Sequence, residues 1–254
     1  MKEKNEKILI GAGPFYYRGN NTGILLIHGG GGGTCADLKP LAEDLHSKGG
    51  FTITVPLLPG FGTTPKDLRN IQIEDWKSAL YSELSMLNNK CENVFVGGHS
   101  MGGVLALILA ANYNLDGIFT ISAPIGIQNF LFYLVPLFKI FIKYHSVDSE
   151  KFIKDTNGKW VGYKKIPLNI ATKLKGLMKE MKLSLDKISC PVLIFQGKND
   201  SEIKSQSMEY IFNNIKSRNK KKIWLPNNCH PILDSPDHKQ IVSELIKFIN
   251  ELCT

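Results

Sequence analysis

Arginine is scarce in this sequence, with 3 residues against 28 lysines. Proteins that read nucleic acids lean on the planar guanidinium for bidentate contacts to bases and phosphates. No nucleic-acid motif is present either, so the net charge of +8 does not point to that partner. Paired cysteines are also missing. Cys35, Cys91, Cys190, Cys229 and Cys253 are odd in number, scattered, and form no C-x-x-C pair. That argues against a disulfide framework or a zinc site and favours a reducing, cytoplasmic setting. Cys229, beside His230, reads as a buried, inert thiol. No window approaches the ~20 apolar residues of a membrane span. The mixed charges of residues 1–7 lead into no apolar stretch, so no secretory leader is expected. The five glycines at 29–33 lack the Gly-Lys-Ser/Thr ending of a phosphate loop. Nothing in the sequence calls for a metal or an organic cofactor.

What is present is a regular alternation. Short apolar runs at 23–27, 51–55, 93–97, 117–121, 192–195 and 222–225 read as strands. Helical patterns near 36–48, 74–87, 104–111 and 244–250 separate or follow them. Such a chain folds as an α/β domain with a mostly parallel sheet flanked by helices. The interval from about 124 to 189 breaks the rhythm, being long and rich in apolar helix formers. We expect a helical cap there, inserted into a core made of residues 1–123 and 190–254. It would cover the C-terminal ends of the strands, where open α/β sheets place ligands. Charge follows the same division: residues 127–187 hold twelve lysines and five acids, hence +7 of the chain's +8.

Gly98-His99-Ser100-Met101-Gly102 joins a β-branched strand to an apolar helix. A serine between two glycines at such a turn is a nucleophile elbow. Its hydroxyl is lifted from the sheet, and the helix behind it offers unpaired N–H groups to a developing oxyanion. A nucleophilic serine needs a base, and the base an orienting acid. Asp200 and His230 each follow a strand end, in the order Ser100, Asp200, His230. Glu202 is the alternative acid, while Asp234 reads as a support for the His230 loop. His46, His145 and His238 suit structural or surface positions better. His99 is expected to face away from the site and pack or hydrogen-bond. The Met101 and Gly30 amides are the expected oxyanion donors, with His28 bracing the glycine loop.

These residues carry a resemblance. Leu25-Leu26-Ile27-His28-Gly29, Pro59-Gly60-Phe61-Gly62, the Ser100 pentapeptide, Cys190-Pro191-Val192 and Cys229-His230 are similar to bacterial carboxylesterases and monoacylglycerol lipases of the α/β-hydrolase fold. The resemblance spans roughly residues 20–252. It implies that Ser100, Asp200 and His230 form a triad cleaving carboxylic esters through an acyl-enzyme, with the cap shaping the acyl site. An acyl thioesterase is the alternative, and a non-catalytic ligand-binding protein of the same fold a more distant one. Gly30 departs from the family, which carries a bulky apolar residue there; glycine keeps the amide but removes a wall. The expected partner is a small ester with an apolar acyl chain. The apolar run at 130–142 together with the cap lysines also suggests weak attraction to anionic membrane surfaces.

Overall fold

The computed structural model describes residues 7–138 and 142–253. The chain begins with β1 (Phe15–Tyr17) and β2 (Thr22–Ile27), then a 3-10 turn (Cys35–Leu38), α1 (Lys39–Gly49) and β3 (Thr52–Val55). Next come α2 (Pro65–Asn70), α3 (Ile73–Asn88), β4 (Asn93–His99), α4 (Met101–Ala110) and β5 (Gly117–Ile121). The inserted interval carries α5 (Leu131–Phe138), β6 (Tyr144–Ser146), α6 (Ser149–Asp155), β7 (Lys165–Pro167) and α7 (Asn169–Lys182). The chain closes through β8 (Val192–Gly197), α8 (Ser207–Asn214), β9 (Lys220–Leu225) and α9 (His238–Leu252).

The main sheet runs β1-β3-β2-β4-β5-β8-β9. Only β1 is antiparallel to its neighbour, so this is the mostly parallel α/β sheet expected. Both faces are covered, which is why the central strands read as unbroken apolar runs. The period of two then distributes side chains between two cores. On one side Leu25, Ile27, Val94, Val96, Val192 and Ile194 pack with α3, α4 and α7. On the other Ile24, Leu26, Phe95, Leu193 and Phe195 meet α1 and α9. Every residue of α4 is buried, because the sheet lies on one side of it and α7 on the other. α9 buries one stripe only: Ile241, Val242, Leu245, Phe248 and Ile249.

The insertion is not wholly helical. β6 and β7 pair antiparallel, with Tyr144 opposite Pro167. Three-residue strands are too short for alternation to reveal them in sequence. The end of α7 is also a core element: Leu177, Met178 and Met181 share a cluster with Val104 and Leu107 of α4. The forward part is tethered to the loop that follows β2. Thr34 Oγ1 donates to Val161 O at 2.8 Å, and Tyr163 N–H donates to Gly32 O at 2.9 Å. Part of the 130–142 run, residues 139–141, lies outside the described residues. Among the described residues, no helix is long and apolar enough to cross a membrane.

Candidate active site

The turn from β4 to α4 holds Ser100 at φ 54° and ψ −120°. A non-glycine residue in this region costs of order 1–3 kcal/mol, sustained only where surrounding structure enforces it. Here Ser100 N–H donates to Ile121 O at 2.9 Å, while Gly103 and Val104 donate to its carbonyl at 3.0 and 3.2 Å. The flanking glycines make the turn possible. A Cβ on Gly98 would collide with the Gly102 backbone, and one on Gly102 with the Ile27 carbonyl.

His230 Nε2 lies 2.9 Å from Ser100 Oγ, and its Nδ1 lies 2.9 Å from Asp200 Oδ2. The other Asp200 oxygen accepts from the backbone N–H of Glu202 at 3.0 Å and of Ile203 at 3.3 Å. The carboxylate therefore places the ring proton on Nδ1, leaving Nε2 as the hydrogen-bond acceptor for the Ser100 hydroxyl. Burial opposes the imidazolium, yet the Asp200 hydrogen bond and the charges of Glu202 and Asp200 outweigh it, raising the His230 pKa above its ordinary value. Burial likewise opposes ionisation of Asp200. The hydrogen bond and charge of His230, with the two backbone donors, hold its carboxyl below the ordinary range.

The alternatives resolve by position. Glu202 stands on the Nε2 side of the ring, its Oε2 3.8 Å away, where it cannot orient Nδ1. Asp234 binds Lys159 and, at 3.2 Å, Asn157, tying the His230 loop to the insertion. His46 bonds the Phe51 carbonyl, His238 bonds Asp44, and His145 sits in β6 on the wall of the cavity in front of Ser100. His99 does not face away. Its Nε2 meets the His230 carbonyl at 2.8 Å, and it lines the same cavity. Burial drives its pKa down to about 3, so the ring is neutral and Nε2–H donates. Cys229 is exposed rather than buried. Asn228 takes the inward position instead, bonding Ser235 and the Cys229 carbonyl.

On the opposite side, the glycine loop passes Ser100. A Cβ on Gly29 would lie 3.5 Å from that of Ser100, and one on Gly30 would lie 2.6 Å from Met101 Sδ. Met101 thus fills the volume that Gly30 leaves empty, and the wall is restored from the helix. Met101 begins α4, so its amide has no carbonyl acceptor within the helix. His28 braces the loop as expected, with Nδ1–H donating to Gly29 O at 2.8 Å and Nε2 accepting Leu58 N–H at 3.1 Å. Burial lowers its pKa to about 4, consistent with that neutral ring. Ser100 and His230 open onto a cavity of about 280 Å³. Its apolar walls include Ile127, Phe132, Ile166, Ile170 and Leu174.

The family described as serine aminopeptidase, S33, matches residues 19–237. The chain belongs to this family. It is 32% identical over 242 residues to a thermostable monoacylglycerol lipase of a Bacillus species, covering 95% of each chain. A carboxylesterase of Bacillus subtilis is 25% identical, over 94% of this chain and 96% of its own. Among solved structures, one from a study of LipS and LipT, two metagenome-derived lipolytic enzymes, aligns with a TM-score of 0.88 at 25% identity. That alignment covers 96% of this chain and 100% of the other.

Three groups in this hydrolase have no counterpart in the sequence reading. Asp37 lines the cavity with Oδ1 buried and without a hydrogen-bond partner. Burial lifts its pKa to about 7. Phe152 and Trp160 stack at 5.6 Å and form another part of the wall. Tyr163 OH donates to Gly60 O at 2.9 Å and accepts Thr63 N–H at 2.7 Å, locking the insertion onto the loop before α2. A carboxylate four residues past a glycine run was the one available signal for Asp37. The aromatic pair is spaced by eight residues across an irregular segment, which no periodicity marks.

Proposed function

We propose that this protein hydrolyses carboxylic esters with apolar acyl chains, of the monoacylglycerol or short-ester kind. Ser100 Oγ attacks the acyl carbonyl while His230 Nε2 takes its proton, with Asp200 holding the imidazolium. The Met101 and Gly30 amides stabilise the oxyanion. The alcohol leaves with the proton from Nε2, and water activated by the same nitrogen releases the acid. The observation that carries this reading is the pair of 2.9 Å contacts joining Asp200, His230 and Ser100 at the wall of an apolar cavity. The matched family is described as a peptidase, whereas the relatives are a lipase and a carboxylesterase. Apolar walls, aliphatic and aromatic, suit an acyl chain better than a peptide. The cavity is at the small end of ligand sites, ~300–1,000 Å³, which favours a small ester over an acyl-CoA.

In this reading residues 124–189 form the cap over the core of 1–123 and 190–254, and the enzyme works in the cytoplasm. Phe130, Leu131 and Leu137 of the cap are exposed, and so is Ile142 beside Lys143. They support weak docking of the cap on anionic bilayers. The test of the core reading is covalent. A fluorophosphonate probe should label Ser100, and Ser100→Ala should lose both label and turnover of p-nitrophenyl esters by ~10⁴-fold or more. Labelling that survives in Ser100→Ala, or a tenth of the wild-type rate, overturns it.

A further inference from the structure

Besides the buried Asp37, a second, half-exposed carboxyl group in the cavity has no role in the steps above. Glu202 lines the same space as Ser100 and His230. Its Oε2 stands 3.8 Å from His230 Nε2, the nitrogen that contacts Ser100 Oγ. Its side chain is 52% exposed, and among the described residues His230 is its one ion-pair partner. The backbone beneath it is fixed from two directions. Glu202 N–H donates to Asp200 Oδ1 at 3.0 Å, and its carbonyl accepts Gln128 N–H at 2.8 Å. Next to it, Ile203 bridges Ile127 of the insertion. The carboxylate therefore projects from a point tied both to the acid of the triad and to the cap.

Position then determines what it meets. When the acyl–oxygen bond breaks and the Ser100 Oγ–acyl bond forms, the departing alkoxide collects its proton from His230 Nε2. Its oxygen must lie within hydrogen-bond reach of that nitrogen, about 2.6–3.2 Å. A carboxylate oxygen 3.8 Å from the same nitrogen is in reach of a donor one carbon further along the alcohol. A simple alkanol presents a methylene there, crowding water from the carboxylate and giving nothing back. A hydroxyl on that carbon donates a charge-assisted hydrogen bond. We propose that Glu202 is a specificity-determining residue that binds the hydroxyl vicinal to the ester oxygen, so that esters of polyols are preferred to esters of simple alkanols. This rests on the ester-hydrolase reading above and adds the alcohol side of its substrate.

The test compares two esters that differ by one hydroxyl, 2-hydroxyethyl octanoate and ethyl octanoate, through the ratio of their kcat/KM values. The wild type should favour the hydroxyethyl ester by about tenfold or more, the discrimination expected of one hydrogen bond to a charged acceptor. Glu202→Leu should bring the ratio to within about twofold, and Glu202→Gln, which keeps an acceptor without the charge, should fall between. A wild-type ratio near one, or a Glu202→Leu ratio equal to wild type, overturns the inference. Should Glu202→Leu not fold, the Glu202→Gln ratio decides, and an unchanged value overturns it. A wild-type enzyme inert toward both esters overturns the esterase reading itself, and this inference with it.

Discussion

Replacing Asp200 by asparagine tests the site at its least accessible point. The Asp200 side chain is completely buried, and three donors converge on it: His230 Nδ1 at 2.9 Å, Glu202 N at 3.0 Å and Ile203 N at 3.3 Å. An asparagine of the same shape keeps its oxygen toward the two backbone donors and turns its NH₂ toward His230. An N–H facing Nδ1 requires that nitrogen to be the unprotonated one. The ring proton then moves to Nε2, which becomes a donor to Ser100 Oγ and no longer a base. The corresponding change in a serine protease lowers kcat by ~10⁴-fold, or about 5.5 kcal/mol of transition-state stabilisation. Glu202→Gln removes only a half-exposed charge on the other side of the ring. It should cost less than about tenfold on an ester whose leaving group has no vicinal hydroxyl. The assay is kcat/KM for p-nitrophenyl butyrate at a pH where the wild-type rate is flat, with thermal melting to confirm folding. Activity of Asp200→Asn within tenfold of wild type, or a deeper loss in Glu202→Gln, would refute the assignment of the acid.

The raised pKa of His230 places the acid limb of kcat/KM above the ordinary histidine midpoint of about 6.5. In the proposed mechanism the neutral ring is the active form, so the rate should climb with pH, and Glu202→Gln should move the limb to lower pH; a flat profile between pH 5 and 8 contradicts histidine as base. Asp37 offers a stability test of opposite character. Its pKa is lifted from 3.8 to about 7, so the folded protein holds a proton that the unfolded chain releases, and stability falls as pH rises across that window. Asp37→Asn should raise Tm by a few degrees at pH 8 and hardly at all at pH 4, and an equal change at both pH values counts against a buried carboxyl. Cosedimentation with anionic vesicles at low salt should capture the protein. The captured fraction should drop by 0.5 M salt and in Leu137→Ser/Lys143→Glu, since each lysine near such a surface is worth about 1 kcal/mol; no bound wild-type protein means that the lysines serve only to solvate the cap.

Legibility followed the strength of the periodic signal. β2, β4, β5 and β8 announced themselves because burial on both faces demands uninterrupted Val, Ile, Leu and Phe. β1 was not read, since Phe15-Tyr16-Tyr17 is a three-residue edge strand whose alternation has no room to repeat. α2 is absent from the helical patterns of the sequence because it is only six residues long and opens on a residue that also marks turns, Pro65. In the structure it occupies the first turn, where a missing N–H costs nothing, and Thr64 caps the helix from Asp67 N. α8 gives a weak signal for a different reason: beside the polar Glu209, Asn213 and Asn214, its buried apolar residues are only Met208 and Ile211. The order Ser100, Asp200, His230 is legible despite these gaps because each residue follows a strand with a strong apolar signal. Their arrangement in space is inherited from the sheet.

The cavity wall was harder to read because its shape depends on side chains that fill in for absent ones. The run Gly29 to Gly33 looks in sequence like a stretch of surplus flexibility, yet most of its missing Cβ positions are claimed by named neighbours. Met101 Sδ would lie 2.6 Å from a Cβ on Gly30, and Ile166 Cγ2 2.9 Å from one on Gly32. The Asp37 carboxylate lies across the bare Cα of Gly33, closer than any side chain there would permit. Gly31 is the exception, exposed and with nothing within 4 Å of its Cβ position. The glycines are therefore unequal. Gly31→Ala should leave kcat/KM and Tm close to wild type, within the ~0.5 kcal/mol of an ordinary surface change. Gly33→Ala must push Asp37 out of place, and overpacking of this kind costs typically ~1–3 kcal/mol. It should lower Tm and abolish the pH dependence that Asp37 contributes. If both substitutions proved equally silent in melting curves at pH 5 and pH 8, the loop would be flexible after all, and the packing that fixes Asp37 in the wall would be wrong.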